Sequence, residues 1–321
     1  MEQIAVSIIV PVYNGETYLE ECLHSLVNQT LESYEIIVIN DGSTDKTQEI
    51  IDRFSVQTSK VRAYTQENKG VVATRGIALS MAKGEFIGWV DSDDFVKPNM
   101  FETLYCAAKA ADADVVSCDY AFYPKEIKTK EKWFKEYKGV VDWRFIERNT
   151  QQWNKLVRRE LLERINMAHW MAYCGEGAYA LALIYANKVV TVCEQLYYYR
   201  VGHVSLSNNL NSPTWYEGNI LRTEKQLEAI LENGLEEQWG EYYKYRVIYS
   251  LLQAMIVSAK NGKKELYQQQ QKKLHAYHMN QNPYTKQVLD HNHGKLKSFV
   301  MRRVVPIGYG IAHLLTKIAL G

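Results

Sequence analysis

Over its first 120 residues the chain alternates between two hydrophobic periods, and this limits its fold more than any other feature. Val6–Val10 is a continuous apolar run rich in β-branched residues, the pattern of a strand buried on both faces. Leu19, Cys22, Leu23, Leu26 and Val27 then recur at helical spacing, in a segment that also carries Glu20, Glu21, His24 and Asn28. The pairing repeats. Strands are expected at Glu35–Ile39, Val61–Thr65, Phe86–Val90 and Asp114–Cys118. Helices are expected around Ile50, Ile51 and Phe54, across Val71–Ala82, and across Phe101–Ala111. Strands alternating with amphipathic helices give an α/β fold, a doubly wound, mostly parallel sheet with helices on both faces.

Ligands of such sheets bind outside the carboxyl ends of the strands, so the residues that follow each strand matter most. Strand one is followed by Pro11-Val12-Tyr13-Asn14-Gly15, and strand two by Asn40-Asp41-Gly42-Ser43-Thr44-Asp45. The strand at Phe86–Val90 is followed by Asp91-Ser92-Asp93-Asp94. Asn, Asp, Gly and Ser are ordinary turn residues, and Ser43 or Asp45 suits a helix cap. The last motif demands more than a turn. Three carboxylates in four residues repel one another unless donors or a cation neutralise them, and a hard divalent ion is the simplest neutraliser.

A nucleoside diphosphate-sugar fits these residue types. Asp41 can accept a hydrogen bond from a base N–H such as uracil N3, with Pro11 and Tyr13 walling the base. Asp91 can accept from a ribose hydroxyl. Asp93 would ligate Mn²⁺ or Mg²⁺ bridging the phosphates, with Asp94 beside it, and the ion would offset charge on the leaving diphosphate. Arg75, one turn into the helix after Asn68-Lys69-Gly70, adds a cation.

Val10-Pro11-Val12-Tyr13-Asn14, the Asn40–Asp45 segment, Glu67-Asn68-Lys69-Gly70 with Arg75, and Asp91-Ser92-Asp93-Asp94 occur in that order. As a set they resemble the family 2 glycosyltransferases, over roughly residues 4–206. The resemblance implies a GT-A-type sheet, an inverting, metal-dependent transfer from a UDP-sugar, and a setting in bacterial surface polysaccharide or glycoprotein glycan synthesis. It divides the chain into a nucleotide-sugar half at 1–100, an acceptor half at 101–212 and an α-helical C-terminal region at 213–321.

The resemblance continues through Trp153-Asn154-Lys155-Leu156, Arg158-Arg159-Glu160-Leu161, Gly175-Glu176 and Glu194–Arg200. Relatives have Gly-Glu-Asp at the third of these, its Asp taken as the base that deprotonates the acceptor hydroxyl. Here the triplet is Gly175-Glu176-Gly177, so that carboxylate is missing. Three readings stand open. Glu176 serves as base; another carboxylate such as Asp142 or Glu160 serves; or the chain is a non-catalytic nucleotide-sugar-binding subunit that supports an active partner. Trp153 is either core packing or an acceptor-sugar platform. His203 is either an ordinary histidine or a further metal ligand closing over the diphosphate, where imidazole would suit Mn²⁺, with Arg200 pairing a phosphate. A nucleotidyltransferase would need a Gly-rich basic loop after strand one, and Val12–Glu16 is not one.

Charge and composition set the remaining bounds. Lys and Arg number 38 against 37 Asp and Glu, so the chain lacks the basic excess of a nucleic-acid binder. The total of +1 divides unevenly. Beyond Asp290 come Lys295, Lys297, Arg302, Arg303 and Lys317 with no acid, a block of +5, which leaves −4 for the rest. That block carries Phe299, Val300, Val304, Val305, Ile307, Ile311, Leu314, Leu315 and Ile318, broken near Pro306, Gly308 and Gly310. Two readings remain open: a helix on the inner leaflet of the cell membrane, suited to a lipid-linked acceptor, or a helix packed on its own domain or a partner subunit, as in a homo-oligomer. Five scattered cysteines without CxxC spacing read as buried, reduced thiols. No basic n-region precedes the first strand and no apolar run reaches the length of a membrane span, so a cytoplasmic protein, peripheral at the membrane in the first reading, is expected.

Overall fold

The computed structural model describes residues 3–124, 137–202 and 212–318, and the chain divides into two units, Met1–His203 and Val204–Gly321. The first unit runs β1 (Val6–Val12), α1 (Leu19–Val27), β2 (Tyr34–Asn40), α2 (Thr47–Gln57), β3 (Val61–Thr65), α3 (Val71–Met81), β4 (Phe86–Trp89), β5 (Phe95–Val96) and α4 (Met100–Ala111). It continues with β6 (Val115–Tyr123), β7 (Lys138–Gly139), α5 (Trp143–Arg148), β8 (Lys155–Arg158), α6 (Arg159–Arg164), α7 (Met167–Cys174), α8 (Tyr179–Tyr185) and β9 (Val189–Arg200). A short 3₁₀ turn, Gly175–Ala178, joins α7 to α8.

The strands form one sheet in the order β3-β2-β1-β4-β8-β6-β9-β5, with β7 against β9. Six strands share a direction; β5, β7 and β8 oppose them. Every residue of β1 and β2 is buried, which is why their sequences are continuous apolar runs rather than alternating ones. Helices cover them with single stripes, Leu19, Cys22, Leu23 and Leu26 on α1, and Met100, Phe101, Leu104 and Ala108 on α4. The segments expected at 1–100 and 101–212 share this sheet, because β4 is hydrogen-bonded to β8.

The three opposing strands lack the pattern that marks the parallel ones. β5 and β7 are two residues each, and β8 reads Lys-Leu-Val-Arg. The strand expected to stop at Cys118 runs on to Tyr123 after a register shift at Asp119. All five cysteines are free, but only Cys22, Cys118 and Cys174 are buried; Cys106 and Cys193 are exposed.

The second unit is helical: α9 (Pro213–Glu232), α10 (Glu241–Lys260), α11 (Lys264–Ala276), α12 (Pro283–His293), α13 (Lys295–Phe299) and α14 (Tyr309–Ile318). Helix α10 forms its centre, burying Tyr242, Tyr245, Val247, Ile248, Leu251, Leu252 and Met255 and packing against α9, α11, α12 and α14. Pro213 opens α9, where a missing N–H costs nothing. The final segment breaks as its Pro and Gly residues suggest, into α13, a π-helical turn at Val300–Val304, and α14. Among the described residues no helix is long and apolar enough to cross a membrane.

One core residue breaks the usual composition. Lys155, on β8, is fully buried; its ammonium donates to the carbonyl of Gln151 and, at 2.7 Å, to Asn154 Oδ1. Burial pushes its pKa down from 10.5 to about 7. Between these values the unfolded chain holds a proton that the folded chain has released, so this group's contribution to stability rises with pH across that window. Lys155→Met should therefore raise the melting temperature relative to the parent most near pH 7 and least near pH 10. A difference that stays constant across thermal melts at both pH values would contradict the burial-driven shift.

Candidate active site

The strand order reverses at β1, with β2 and β3 on one side and β4 on the other, and a crevice belongs at the carboxyl ends where it does so. The β1–β4 register ends at Ile9 and Trp89, followed by a last bond from the Val90 N–H to the Ile9 carbonyl. Pro11 comes next. It has no N–H to offer β4, while on the other side it still aligns with Ile39 of β2. Pro11 is buried in the strand, whereas Tyr13 beyond it is 52% exposed.

The first two strand-end loops are laced together. The Asn14 N–H donates to Ser43 Oγ, Gly15 N–H to Thr47 Oγ1, and Glu16 N–H to Asp45 Oδ2; in return Asn14 Oδ1 accepts from the Thr44 N–H. Burial raises the Asp45 pKa, but hydrogen bonds from Thr47 and Glu16 outweigh it and hold the carboxyl below its ordinary value. Gly42 has φ +74°, and a Cβ there would stand 2.8 Å from the Asn68 nitrogen, so only glycine lets this turn meet the next one.

Asp41 organises that next turn. It is buried, with Oδ1 accepting from Gln66 Nε2 (2.8 Å) and the Lys69 N–H (2.9 Å) and Oδ2 accepting from the Gly70 N–H (2.8 Å). Burial pushes its pKa up, but bonds from Gln66, Lys69, Thr74 and Gly70 together bring it below the ordinary carboxylate value. Asp41 thus fixes the turn that leads into α3, and Asn68 in that turn is exposed.

At the end of β4 the acidic motif is a turn closed by the Asp94 N–H on the Asp91 carbonyl (3.0 Å). Asp91 Oδ1 accepts from Arg75 Nη2 at 2.5 Å. The buried Arg75 also meets Gln152, whose amide oxygen, in the orientation its neighbours favour, accepts from Arg75 Nε at 3.0 Å. Asp94 is buried. Its Oδ2 accepts from the Tyr197 hydroxyl (2.6 Å) and its Oδ1 from the Arg200 N–H (2.7 Å). Burial, then the Asp91 and Asp93 charges, push its pKa up to about 8. Asp91 is thus paired with Arg75, while the surroundings of Asp94 disfavour its charged form. Asp93 keeps intermediate exposure.

Strand β9 clamps this turn. The Tyr197 oxygen accepts from the Asp91 N–H (3.2 Å) while its hydrogen goes to Asp94, so one hydroxyl joins both ends. Arg200 Nε donates to the Asp93 carbonyl (2.7 Å), its Nη2 pairs with Glu21, and its guanidinium lies over Tyr18, Phe95 and Tyr123 at 4.5–5.5 Å. The sequence reading gave Arg75 and Arg200 to the diphosphate; the structure engages both in holding the acidic turn.

Trp153 stacks on Tyr197 and Tyr199 at 4.5 and 5.3 Å and meets Tyr120 edge-on. Of its two readings the packing one matches this geometry. The Gly175-Glu176-Gly177 triplet forms the 3₁₀ turn, with Gly175 at φ +67° and a Cβ there 3.9 Å from Val72, in the first turn of the helix that carries Arg75. His203 and the Glu176 side chain lie outside the described residues. The structure describes both alternative bases. Asp142 caps α5, accepting from the Arg144 and Phe145 N–H groups. Glu160 lies two residues after Arg158, which pairs with Phe86 at the start of β4, whereas the acidic turn follows the other end of that strand.

Among the described residues no group of three or more His, Cys, Asp or Glu is gathered to hold a metal ion. A divalent cation at phosphates ordinarily takes one or two carboxylates and completes its shell with phosphate oxygens and water. Asp93, on the same turn as Asp91 and of intermediate exposure, fits that donor set. Tyr197 and Gln152 were not legible as site residues. The alternation of Tyr197 and Tyr199 ahead of Arg200 was the one available signal for the first, and the sequence carries none for Gln152.

Residues 7–165 match the family model described as glycosyl transferase family 2. Glycosyltransferase GlyG of Streptococcus pneumoniae is 32% identical over 250 residues, spanning 72% of this chain and 82% of that protein. EpsH of Bacillus subtilis, which also carries a glycosyltransferase name, is 30% identical over 286 residues, 84% and 81% of the two chains. The crystal structure of S. aureus TarS 1–349 in complex with UDP-GlcNAc is similar with a TM-score of 0.60, covering 79% of this chain and 81% of that one at 21% identity. That likeness bears on the fold, which is of the GT-A type.

Removing the Tyr197 hydroxyl tests the clamp. Tyr197→Phe leaves the Asp91 N–H and the Asp94 carboxyl without their shared partner, and should lower the unfolding free energy in urea by about 1–3 kcal/mol. A loss below about 0.5 kcal/mol would show that the hydroxyl does not hold the turn.

Proposed function

The chain belongs to glycosyl transferase family 2, and from that premise we propose that it moves a hexose or N-acetylhexosamine from a UDP-sugar to a saccharide acceptor with inversion. Bacterial surface polysaccharide or glycoprotein glycan synthesis is the proposed setting, with a lipid-linked saccharide as one form of acceptor. The observation that carries this reading is the acidic turn braced at the switch point of the sheet, beside the turn that Asp41 fixes. TarS, which has a similar fold, binds UDP-GlcNAc, and this supports a UDP-sugar donor.

In this reading the exposed Tyr13 ring covers the uracil, in the space opened where Pro11 ends the β1–β4 pairing. Asp41 accepts from uracil N3–H, with Asn68 at the rim. Asp91, oriented by Arg75, accepts from a ribose hydroxyl. Asp93 would hold Mn²⁺ or Mg²⁺, with His203 as a further ligand, and the ion when bound offsets charge on the departing diphosphate. Arg200 keeps the turn in place rather than touching phosphate. Glu176 takes the proton from the acceptor hydroxyl on the face opposite the leaving group.

Gly177 favours a second reading, a nucleotide-sugar-binding subunit that does not itself transfer. Hydrolysis of UDP-Glc, UDP-Gal and UDP-GlcNAc by the purified protein separates the two, since binding of UDP without turnover of any donor would favour the subunit. Asp93→Asn should lower cation-dependent turnover about 100-fold or more; parental rates in that variant would remove Asp93 from the cation site. Glu176→Gln should lower kcat by about 10²–10⁴ while UDP affinity changes less than about twofold. Undiminished kcat would place the base elsewhere.

A further inference from the structure

The second unit ends in helices of unusual surface composition. Its last helices are anchored on one side. Ser298, Met301, Val305 and Ala312 are buried, the Tyr267 hydroxyl donates to the Val305 carbonyl, and Gln271 Nε2 donates to the Pro306 carbonyl at 2.7 Å. The His313 ring stacks on Tyr309 and lies 2.6 Å from the Ala259 carbonyl.

The other side is apolar where a solvated helix would be polar. Leu296 (80% exposed) and Phe299 (53%) form a ridge on α13, Ile311 (45%) and Leu314 (58%) form one on α14, and Ile307 (63%) stands between them in sequence. Five of the eleven exposed large hydrophobics among the described residues fall within 296–314, a concentration that scattered surface residues do not produce. Lys295, Lys297 and Arg303 are exposed alongside, and the sequence has no acid beyond Asp290. Asp290 itself is paired with Lys286.

We propose that this face of the second unit docks on an anionic lipid surface. The two ridges and Ile307 enter the boundary between headgroups and acyl chains, and the three exposed bases meet the lipid phosphates. Charge selects this occupant over a second copy of the chain, because an isologous contact of residues 295–314 with themselves would set like charges against each other, with no acid in that segment to pair them. The inference is independent of the donor and base assigned above.

Co-sedimentation of the full chain with phosphatidylcholine vesicles, with and without phosphatidylglycerol, tests it in the absence of any donor. Binding should require phosphatidylglycerol and weaken with added salt. K295Q/K297Q/R303Q should reduce partitioning about fivefold per base removed, and L296S/F299S/I311S/L314S at least about tenfold. Both variants alter exposed positions and should keep the parental thermal melt. Equal binding to both vesicle types, no binding to either, or unchanged binding of either variant would overturn the proposal. A parent that is dimeric in light scattering without lipid, and monomeric once the ridges are replaced, would overturn it in favour of a second copy.

Discussion

Three carboxylates within four residues at the end of β4 cannot all stay charged without partners, and much of the first unit is arranged around that constraint. Helix α3 supplies Arg75 to Asp91, and the loop before β8 supplies Gln152 to Arg75. Strand β9 supplies the Tyr197 hydroxyl and the Arg200 backbone to Asp94, whose pKa burial and its acidic neighbours raise. Elements far apart in sequence thus converge on one turn. Asp93, between Asp91 and Asp94, keeps intermediate exposure at this turn.

The crevice itself follows from an absent donor. Beyond Ile9 and Val90 the two central strands stop pairing, and Pro11 has no N–H with which to continue. The polar residues that follow do two kinds of work. Asn14, Ser43 and Asp45 bind each other's loops and so hold them together. Asp41 spends most of its acceptor capacity on the Gln66–Gly70 turn, which presents Asn68 at the surface. A residue can fit a binding motif and still act mainly through the backbone it organises.

This division explains what was legible in the sequence. Five of the six strands that share a direction announced themselves as apolar or β-branched runs, most plainly β1 and β2, which are buried throughout, and the strand-end motifs followed from them. The opposing strand β8 stayed hidden because it carries Lys155 and two-faced pairing does not need apolar ends. Residue type identified Asp91, Asp93 and Asp94 as a group, but nothing in their order showed that Asp94 would be buried and Arg75 and Arg200 engaged with the protein. Those roles depend on β9 and on the 149–154 loop, which sequence spacing cannot place against β4. In the second unit the reverse holds. The basic, acid-free block was plain from the sequence, and the structure decided which of its faces is anchored and which is open.

At the centre of the proposed reading is Asp93 as the carboxylate through which a divalent cation joins the donor diphosphate. Anomalous diffraction from crystals grown with UDP and Mn²⁺ addresses this directly. The reading predicts one manganese peak at coordinating distance, roughly 2.0–2.3 Å, from an Asp93 oxygen and touching both phosphates. UDP bound in the crevice with no such peak, or with the ion away from Asp93, would contradict it.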